Sequence, residues 1–451
     1  MTSAARSWKP YPAYKDSGVE WLGKVPEGWK VQKLKHVVKV NLSNVDKKSN
    51  EGETTVKLCN YVDVYYNDYI TPDLDFMEAT ASPDQIDKFT LRGGDVIITK
   101  DSESWEDIAV PAYVPANLNG VICGYHLAHI RPNNLDIDGE YLFWSFCAPR
   151  LNHQFRVEAH GITRFGIGKY SIDNSLLLVP SINDQKYIAR FLDDRTRKID
   201  SLIEKKQKLI ELLKEERAAV INQAVTKGLD PRAPMRDSGV EWLGEVQEKW
   251  EVKKLKHIAE IVLGKMLTND DKGGYFYKPY LRAQNISWQK VNTEDIKQMW
   301  FSEKELEQYR VKLNDLLVSE GGEVGRTAIW NNVIKECYIQ NSVHKVTMLN
   351  GNNPYYFLYL FFLYGQMGYF DSIVSKVSIA HLTREKLKEV FCPVPSITEQ
   401  NQIVQYIEYE HAKIDRAAST IEKEIELLQE YRTALISEAV TGKIDVREEV
   451  V

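Results

Sequence analysis

The sequence predicts two α+β domains that are joined by two long antiparallel helices in a pseudo-two-fold tandem repeat. Three observations support this fold class. An octapeptide at residues 16–23 recurs without a change at 237–244. A second pair of matching blocks begins at Val179 and at Val394. Each of these blocks leads into a stretch of more than forty residues without Pro or Gly, which favours one continuous helix. Repeats of this length indicate a tandem duplication.

The repeats divide the chain into six segments, because a shared stretch precedes each variable block and a long helix follows it. We expect a shared N-terminal segment at 1–36, a first variable domain at 37–178, a first long helix at 179–230, a repeat of the shared segment at 231–257, a second variable domain at 258–393 and a second long helix at 394–451.

The two long helices are predicted to pair along an apolar seam. Seven of ten residues at two heptad positions of the first helix are apolar, a pattern typical of coiled coils. A solvated single helix is the alternative, but the regular spacing favours a pair. The predicted seam of the first helix is Ile188, Leu192, Arg195, Ile199, Leu202, Lys206, Leu209, Leu213, Glu216 and Val220; in the second helix it contains Ile403, Ile407, Ile414, Ala417, Ile421, Leu428 and Leu435.

The variable blocks contain signals for both strands and helices. Apolar runs at 94–99 and 313–318 predict buried strands, and the stretches 140–155 and 354–370 predict helices. The two blocks occupy equivalent places in the repeat but differ in sequence, as expected of two domains that share a frame and recognise different things.

Composition limits the class of protein. The 451 residues are 43% hydrophobic and 27% charged, which indicates a globular protein with several folding units. The net charge of −6 excludes an overall electrostatic clamp on nucleic acid but allows a local basic face. The five cysteines form no CxxC pair, and the longest apolar run, 355–364, is half of what a membrane span needs. We therefore expect a cytoplasmic protein with reduced thiols.

The arrangement resembles the specificity subunit of type I restriction-modification systems. The repeated octapeptides, the blocks at 179–185 and 394–400 and the Lys-Ile-Asp helices that follow carry the resemblance. It implies that each variable block is a target recognition domain for one half of a split double-stranded DNA site. It further implies that the helices pair antiparallel and dock two methylation subunits, and that restriction subunits join the complex. S-adenosylmethionine, ATP and Mg would then belong to the partner subunits, and we expect no cofactor and no catalysis in this chain.

Motifs for catalysis are missing from the sequence itself. There is no phosphate-binding loop of the G-x-x-x-x-G-K-[ST] type, and the glycine-rich stretch 320–325 predicts a tight turn beside a strand. The stretch 352–355 has some likeness to the Asn-Pro-Pro-Tyr motif of amino-methyltransferases, but an Asn N-cap followed by Pro at the first helical position explains it better. The histidines show no convincing metal-site spacing.

Two groups of side chains are candidates for DNA contact, because Arg, Lys, Asn and Gln supply most phosphate and base contacts. The first group is Arg282, Gln284, Asn285, Trp288 and Lys290, with Lys57 and Asn60 as counterparts in the first domain, where Asn60 aligns with Asn285. The second group is Arg150, His153, Arg156, His160, Arg164 and Lys169, with the counterparts Lys376, His381, Arg384, Lys386 and Lys388. A solvated helix or hairpin edge is the alternative for each group.

The charge of the first domain opposes a simple DNA-binding interpretation. Residues 37–178 contain 12 basic and 20 acidic residues, whereas 258–393 contain 16 and 15. We expect a segregated DNA face, with partner subunits supplying most phosphate contacts. Two alternatives remain open: a specificity subunit of another split methyltransferase or nuclease system, and a coiled-coil adaptor that binds proteins and no DNA.

Overall fold

The computed structural model describes residues 8–133, 136–374 and 381–449. The chain divides into two compact units. The first unit consists of Met1–Lys206 and Lys423–Val451, and the second consists of Gln207–Glu422. Each unit therefore contains one variable domain and a part of both long helices.

The first half of the chain begins with short paired strands and ends in a long helix. Its strands are β1 (Tyr14–Asp16), β2 (Lys24–Pro26), β3 (Lys30–Lys33), β4 (Val38–Leu42), β5 (Thr54–Cys59), β6 (Met77–Ala81), β7 (Val96–Thr99), β8 (Asp101–Ser102), β9 (Pro111–Tyr113), β10 (Val121–Cys123), β11 (Leu127–Pro132), β12 (Phe165–Gly166) and β13 (Leu176–Val179). Its helices are α1 (Tyr61–Tyr65), α2 (Pro83–Phe89), α3 (Gly139–Cys147), α4 (Pro149–Val157), α5 (Lys169–Asn174) and α6 (Ile182–Lys227).

A three-stranded and a four-stranded sheet form most of the first variable domain, and β8 pairs separately with β12. In the three-stranded sheet, the central β5 pairs in parallel with β10 and antiparallel with β6. The antiparallel four-stranded sheet has the order β4-β11-β7-β9. Val96 and Ile98 pack into the core that contains α3, whereas Ile97 packs into the core of the three-stranded sheet. Both faces of β7 are thus buried, which explains its uninterrupted apolar sequence.

The second half of the chain repeats most of this order of elements, with a hairpin at 286–291 added and, among the described residues, no counterpart of the β8–β12 pair. Its strands are β14 (Met235–Asp237), β15 (Glu245–Gln247), β16 (Glu251–Lys254), β17 (Ala259–Leu263), β18 (Phe276–Leu281), β19 (Ile286–Ser287), β20 (Lys290–Val291), β21 (Lys297–Phe301), β22 (Leu316–Ser319), β23 (Thr327–Ile329), β24 (Tyr338–Ile339), β25 (Val343–Met348) and β26 (Phe391–Val394). Its helices are α7 (Glu303–Tyr309), α8 (Pro354–Gln366), α9 (Tyr369–Ile373), α10 (Arg384–Lys388) and α11 (Ile397–Val440).

The two variable domains share one topology although their sequences differ. The four-stranded sheet of the second domain has the order β17-β25-β22-β23 and the three-stranded sheet the order β21-β18-β24, each the counterpart of a sheet in the first domain. The shared segments pair with the last strand of each domain in the same way, β3 with β13 and β16 with β26. The predicted fold class, two α+β domains with two long antiparallel helices, is confirmed.

Each predicted helix of the variable domains is interrupted once. Pro149 starts α4 directly after α3, because Pro cannot continue a helix but fits its first turn. In the second domain, Gly368 adopts a left-handed conformation with φ of +70° between α8 and α9, which glycine adopts without strain.

A buried glutamine joins each long helix to its variable domain. Gln185 accepts a hydrogen bond from the Asp138 backbone N–H (2.8 Å) and donates to the carbonyls of Asp136 (2.9 Å) and Pro180 (3.0 Å). Gln400 repeats this by accepting from the Asn353 N–H (2.8 Å) and donating to the Pro395 carbonyl (3.0 Å). The glutamine of the shared block therefore fixes the start of the helix against the domain that precedes it.

The long helices run antiparallel. In the first unit, Arg432 donates to Asp200 (2.9 Å), and Lys206 lies 2.5 Å from Glu424. In the second unit, Arg217 lies 4.0 Å from Asp415. Residues further along α6 thus pair with residues progressively earlier in α11, as in an antiparallel pair. Asp200 and Asp415 are the last residues of the repeated Lys-Ile-Asp motif, which gives that motif a role in joining the helices.

Four of the seventeen predicted seam residues are exposed, and they all belong to one of the two predicted rows. Leu192, Ile199, Leu213 and their counterparts are buried or half-buried, as predicted, but Leu202 and Leu209 are 42% and 44% exposed. Glu216 and Ala417 are exposed as well. The second row of the seam lies one residue further along the chain, and its members are Thr196, Ile203, Ile210, Arg217 and Ala224 on α6 and His411, Ala418, Ile425, Arg432 and Ala439 on α11. Pairs such as Leu202–Ile203 are apolar at both positions, so spacing alone does not distinguish the two rows.

Residues 442–446 pack against residues 9–14 within the first unit. The Asp445 N–H donates to the Lys9 carbonyl (2.7 Å), and the Tyr14 hydroxyl donates to the Gly442 carbonyl (2.9 Å). Ile444 and Val446 are buried in the core of this unit. All five cysteines are unpaired, and no helix in the described ranges is long and apolar enough to cross a membrane.

Candidate nucleic-acid interface

Polar side chains gather at one end of the first variable domain, where β5 and β7 end and β11 begins. We call Tyr61, Lys100, Asp101, His126 and Arg164 the first polar cluster. Asp101 is its centre, with Lys100 Nζ at 2.6 Å and His126 Nδ1 at 3.3 Å from the same carboxylate oxygen. Arg164 Nη2 lies 3.2 Å from His126 Nε2. The exposed Arg164 guanidinium is thus linked through His126 to a carboxylate.

Aromatic rings flank the first polar cluster. Lys100 Nζ lies 4.7 Å from the centre of the Tyr125 ring, which is 49% exposed. The Tyr61 hydroxyl lies 3.2 Å from Ser102 Oγ, and its ring stacks on Tyr65. Burial raises the pKa of Tyr61, while the Ser102 hydrogen bond opposes that shift. The cluster combines cations, a carboxylate, hydroxyls and stacking surfaces, which are the groups that contact phosphates and bases.

The same place in the second domain carries different side chains. We call Arg282, Glu320, Arg326, Gln340, Asn341, Ser342 and His381 the second polar cluster. Its backbone frame matches that of the first, since Lys100 N–H donates to the His126 carbonyl (3.0 Å) and Glu320 N–H donates to the Ser342 carbonyl (2.9 Å). Burial raises the pKa of Glu320, and the nearby His381 opposes the shift. Two equivalent frames therefore present unlike polar surfaces.

Asn60 and Asn285 are buried parts of this frame. Asn60 is the N-cap residue of α1, and its N–H donates to Asp63 (2.7 Å). Asn285 accepts from the Arg282 N–H (3.0 Å) and donates to the carbonyls of Asn292 (3.0 Å) and Asp295 (3.2 Å). The N–H of Asn60 and the N–H of Arg282 each donate to the side chain three residues later, so Asn60 is the structural counterpart of Arg282. The predicted alignment of Asn60 with Asn285 is therefore wrong. The hydrogen-bonding groups of Asn285 are used inside the domain.

The other candidates of the first group are distributed around the second cluster. Arg282 pairs with Asp295, and Gln284 and Lys290 are exposed. Trp288 donates to Glu323 (2.8 Å) and packs so closely on α8 that a Cβ at Gly365 would lie 2.1 Å from its ring. The Trp288 ring therefore holds the β19–β20 hairpin against α8. In the first domain, Lys57 is exposed on β5, opposite Glu78 of β6.

The second group of candidates is divided between two places. Arg164 belongs to the first polar cluster, and the exposed His160 pairs through its backbone with Gly166. Arg150 instead donates to the Trp21 carbonyl (2.9 and 2.6 Å). His153 and Arg156, both on α4, line a groove beside Trp21. Lys169 pairs with Asp173 on α5.

In the second unit, His381 and Arg384 are exposed, and Arg384 lies 3.5 Å from Glu385. Lys386 and Lys388 occupy α10. Lys376 lies outside the described residues, so its predicted role stays a prediction.

Several polar residues of the clusters are not singled out by any pattern in the sequence. Lys100 follows β7, Asp101 begins β8, His126 precedes β11, and Asn341 lies in the short turn between β24 and β25. These positions at or near strand ends are the signal that could have found them. Their proximity depends on the order of the strands in the sheets, which the sequence does not give. The stretch 320–325 forms the turn of the β22–β23 hairpin, and Asn353 caps α8 with Pro354 after it, as predicted.

The sequence pattern of the family described as the type I restriction modification DNA specificity domain matches residues 26–212 and 247–427. These ranges include most of the chain. The chain belongs to this family. The resemblance that the repeats predict is thereby confirmed, and the protein is a specificity subunit of a type I restriction-modification system rather than a general coiled-coil adaptor.

Known relatives and solved structures agree with this assignment. The chain is 23% identical over 441 residues to the putative type I restriction enzyme MjaX specificity subunit of Methanocaldococcus jannaschii, covering 94% of this chain and 96% of that protein. It is 24% identical over 350 residues to the EcoBI specificity subunit of Escherichia coli, covering 73% and 70%.

Among solved structures, a chain from a study of complex assembly and conformational transition of the type I restriction-modification system has a TM-score of 0.68 at 16% identity, covering 93% of this chain and 99% of that one. The HsdS subunit of Thermoanaerobacter tengcongensis has a TM-score of 0.58 at 16% identity, covering 93% and 98%. Both likenesses support the fold.

Proposed function

We propose that this chain is the non-catalytic DNA reader of its complex and that each unit recognises one half of a bipartite, asymmetric double-stranded DNA site. The observation that carries the proposal is the pair of polar clusters. Two domains of one topology place them at equivalent strand ends, but with different side chains. Two unlike readers joined in tandem fit a target with two unlike halves.

The partners of the proposed complex follow from the family. Two methylation subunits would bring S-adenosylmethionine and the adenine-methylating site, and restriction subunits would bring ATP-dependent cleavage with Mg. In the described ranges, no group of three or more His, Cys, Asp or Glu side chains is placed to hold a metal ion. The excess of acidic residues in the first variable domain fits an assembly in which partner subunits make most phosphate contacts.

Methylation profiling of random-sequence DNA tests the proposal. The chain is assembled with a methylation subunit from a neighbouring gene, and methylated products are sequenced. We expect two short preferred sequences with a fixed spacer between them, and binding that weakens steeply with salt. The purified chain alone should transfer no methyl group. A single contiguous preferred sequence, or methyl transfer by the chain alone, would contradict the proposal.

A further inference from the structure

We propose that Asn341 is a base-reading residue of the second unit and that its side-chain amide recognises an adenine. The inference rests on the proposed function, because it names the contact by which the second polar cluster would read its half-site. Asparagine fits adenine since its amide pairs in a bidentate manner with N6 and N7 in the major groove.

The backbone around Asn341 is held rigidly. Gln340 N–H donates to the Leu281 carbonyl (3.0 Å), and Asn341 N–H donates to the Lys265 carbonyl (2.9 Å). The chain passes so close to Gly264 that a Cβ at that residue would lie 2.3 Å from the Gln340 carbonyl oxygen. A side chain on a backbone fixed in this way loses little conformational entropy when it binds.

A series of hydrogen bonds orients the amide of Asn341. Ala283 N–H donates to Ser342 Oγ (2.9 Å), and the Ser342 hydroxyl donates to Gln340 Oε1 (2.5 Å). Gln340 Nε2 in turn donates to Asn341 Oδ1. The oxygen of the Asn341 amide is therefore fixed toward Gln340, and its Nδ2 faces away from it. One lone pair on Oδ1 and both N–H groups of Nδ2 remain for a base, in a defined order.

The first unit has the same loop with other side chains. Gly124 N–H donates to the Cys59 carbonyl (2.8 Å), as Gln340 N–H does to the carbonyl of Leu281. Tyr125 then occupies the place of Asn341 and is 49% exposed. A constant backbone that carries a tyrosine in one unit and an oriented amide in the other is what two readers of different sequences require. Asn285, in contrast, has its amide bonded inside the domain.

The substitution Asn341→Asp tests the inference, because it keeps the shape and replaces the donor Nδ2 by an acceptor. Methylation profiling with the assembled complex should show loss of preference for adenine at one base pair of one half-site, by about tenfold to a hundredfold. The other positions of that half-site, and the whole of the other half-site, should keep their preferences.

Two variants separate reading from other effects. Gln298→Glu adds the same negative charge at an exposed amide on β21 and should leave the preference at every base pair unchanged. Ser342→Ala removes the middle of the hydrogen-bond series. It should reduce the preference at the same base pair as Asn341→Asp, but less strongly, because the amide is then present without a fixed orientation.

The possible outcomes are distinguishable. If the wild-type complex has no bipartite preference, the proposed function fails. Asn341→Ser serves as a second, uncharged variant. If the wild-type complex has a bipartite preference and both Asn341→Asp and Asn341→Ser keep every preference, the inference is overturned while the proposed function stands. Size-exclusion chromatography checks assembly, and failure of both variants to assemble would show a structural role for Asn341 and overturn the inference as well.

Discussion

Single residues show how one frame carries two different surfaces. At the end of the central strand of the three-stranded sheet, Asn60 and Arg282 hold equivalent positions, and the backbone N–H of each donates to a side chain three residues later, Asp63 or Asn285. The side chain that shapes the turn thus belongs to a different residue from the one at the strand end, which is the buried Asn60 in the first unit and the half-buried Arg282 in the second. Substitutions at these two kinds of position should therefore differ in their effects on stability and on DNA recognition.

Asn285→Ala and Arg282→Ala are expected to act differently. The first removes one acceptor and two donors from a buried turn, so stability should fall by about 1–3 kcal/mol. The second removes a half-buried guanidinium, which is paired with Asp295, from the second polar cluster and should relax recognition in one half-site with a smaller loss of stability. Thermal unfolding and methylation profiling of both variants check this. Equal loss of stability in the two variants would contradict the division of roles.

A buried ion cluster in the first unit predicts a dependence on pH. Asp95 lies 2.8 Å from His129 Nε2 and accepts hydrogen bonds from Arg131 (2.9 and 2.8 Å). Burial raises the pKa of Asp95, but the hydrogen bonds from Arg131 and His129 outweigh it, and the resulting pKa lies below the usual value. A lowered pKa contributes stability that is present above the unfolded pKa of about 4 and is lost as the pH falls through the folded pKa.

Asp95→Asn should therefore lower the melting temperature at pH 7, and the difference from the wild type should shrink as the pH falls below about 4. Asp315→Asn is a matched control at the equivalent position of the second unit. Burial raises the pKa of Asp315, so the charged carboxylate is disfavoured in the folded state. Asp315→Asn should therefore raise the melting temperature at pH 7, and this increase should also vanish at low pH. A constant difference between Asp95→Asn and the wild type over this range would refute the role of the charge.

At the scale of elements, the sequence predicts what periodicity and repeats determine. The long helices extend over Ile182–Lys227 and Ile397–Val440, within the predicted segments 179–230 and 394–451. Gly228 and Gly442 follow their ends with φ of +71° and +68°. Spacing places part of one seam row one residue too early, because neighbouring residues such as Leu209 and Ile210 are both apolar. Burial against the partner helix decides between them, and one helix alone does not contain that information.

The candidate site was predictable only in part. Arg282, Gln284 and Arg164 were recognised from residue type, and they lie at the strand ends where the polar clusters form. Asn341 and Asp101 were missed, because their neighbours come from strands far apart in sequence. The pairing of β11 with β7 and of β25 with β22 brings these loops together, and strand order is set by tertiary packing rather than by local pattern.

Two equivalent arginines of the helix pair are expected to contribute unequally. Arg432 is 24% exposed and bonds to both Asp200 (2.9 Å) and Asp68 (3.2 Å), whereas Arg217 is 43% exposed and lies 4.0 Å from Asp415. Arg432→Ala should cost about 1.5–3 kcal/mol, since hydrogen bonds between charged groups are involved, and Arg217→Ala below about 1 kcal/mol. Chemical denaturation of Arg432→Ala and Arg217→Ala measures the two costs. The double variant Asp200→Ala/Arg432→Ala, compared with its single variants, gives the coupling energy between Arg432 and Asp200. Equal costs would contradict the role assigned to burial.

The two units connect the end of a long helix to a shared segment by different means. In the second unit, the end of α6 continues through the backbone from Gly228 to β14. In the first unit, the corresponding place is occupied by residues 9–14 and 442–445, which the Asp445–Lys9 and Tyr14–Gly442 hydrogen bonds join. In each unit a shared segment thus adjoins the end of a long helix, and both long helices contribute to each unit.

The length of the helices should consequently set the spacer of the DNA site. Inserting four residues after Leu213 in α6 adds about 6 Å and close to one helical turn, so the residues that follow keep nearly the same orientation. We expect the preferred spacer to change by about one or two base pairs at 3.4 Å each, or binding to be lost, while both half-site sequences stay the same. The same four residues inserted after Lys272, in an exposed loop of the second variable domain, should leave the spacer unchanged. Methylation profiling of random-sequence DNA reads spacer and half-sites together, and an unaltered spacer with full binding in the helix variant would show that the helices do not act as the ruler.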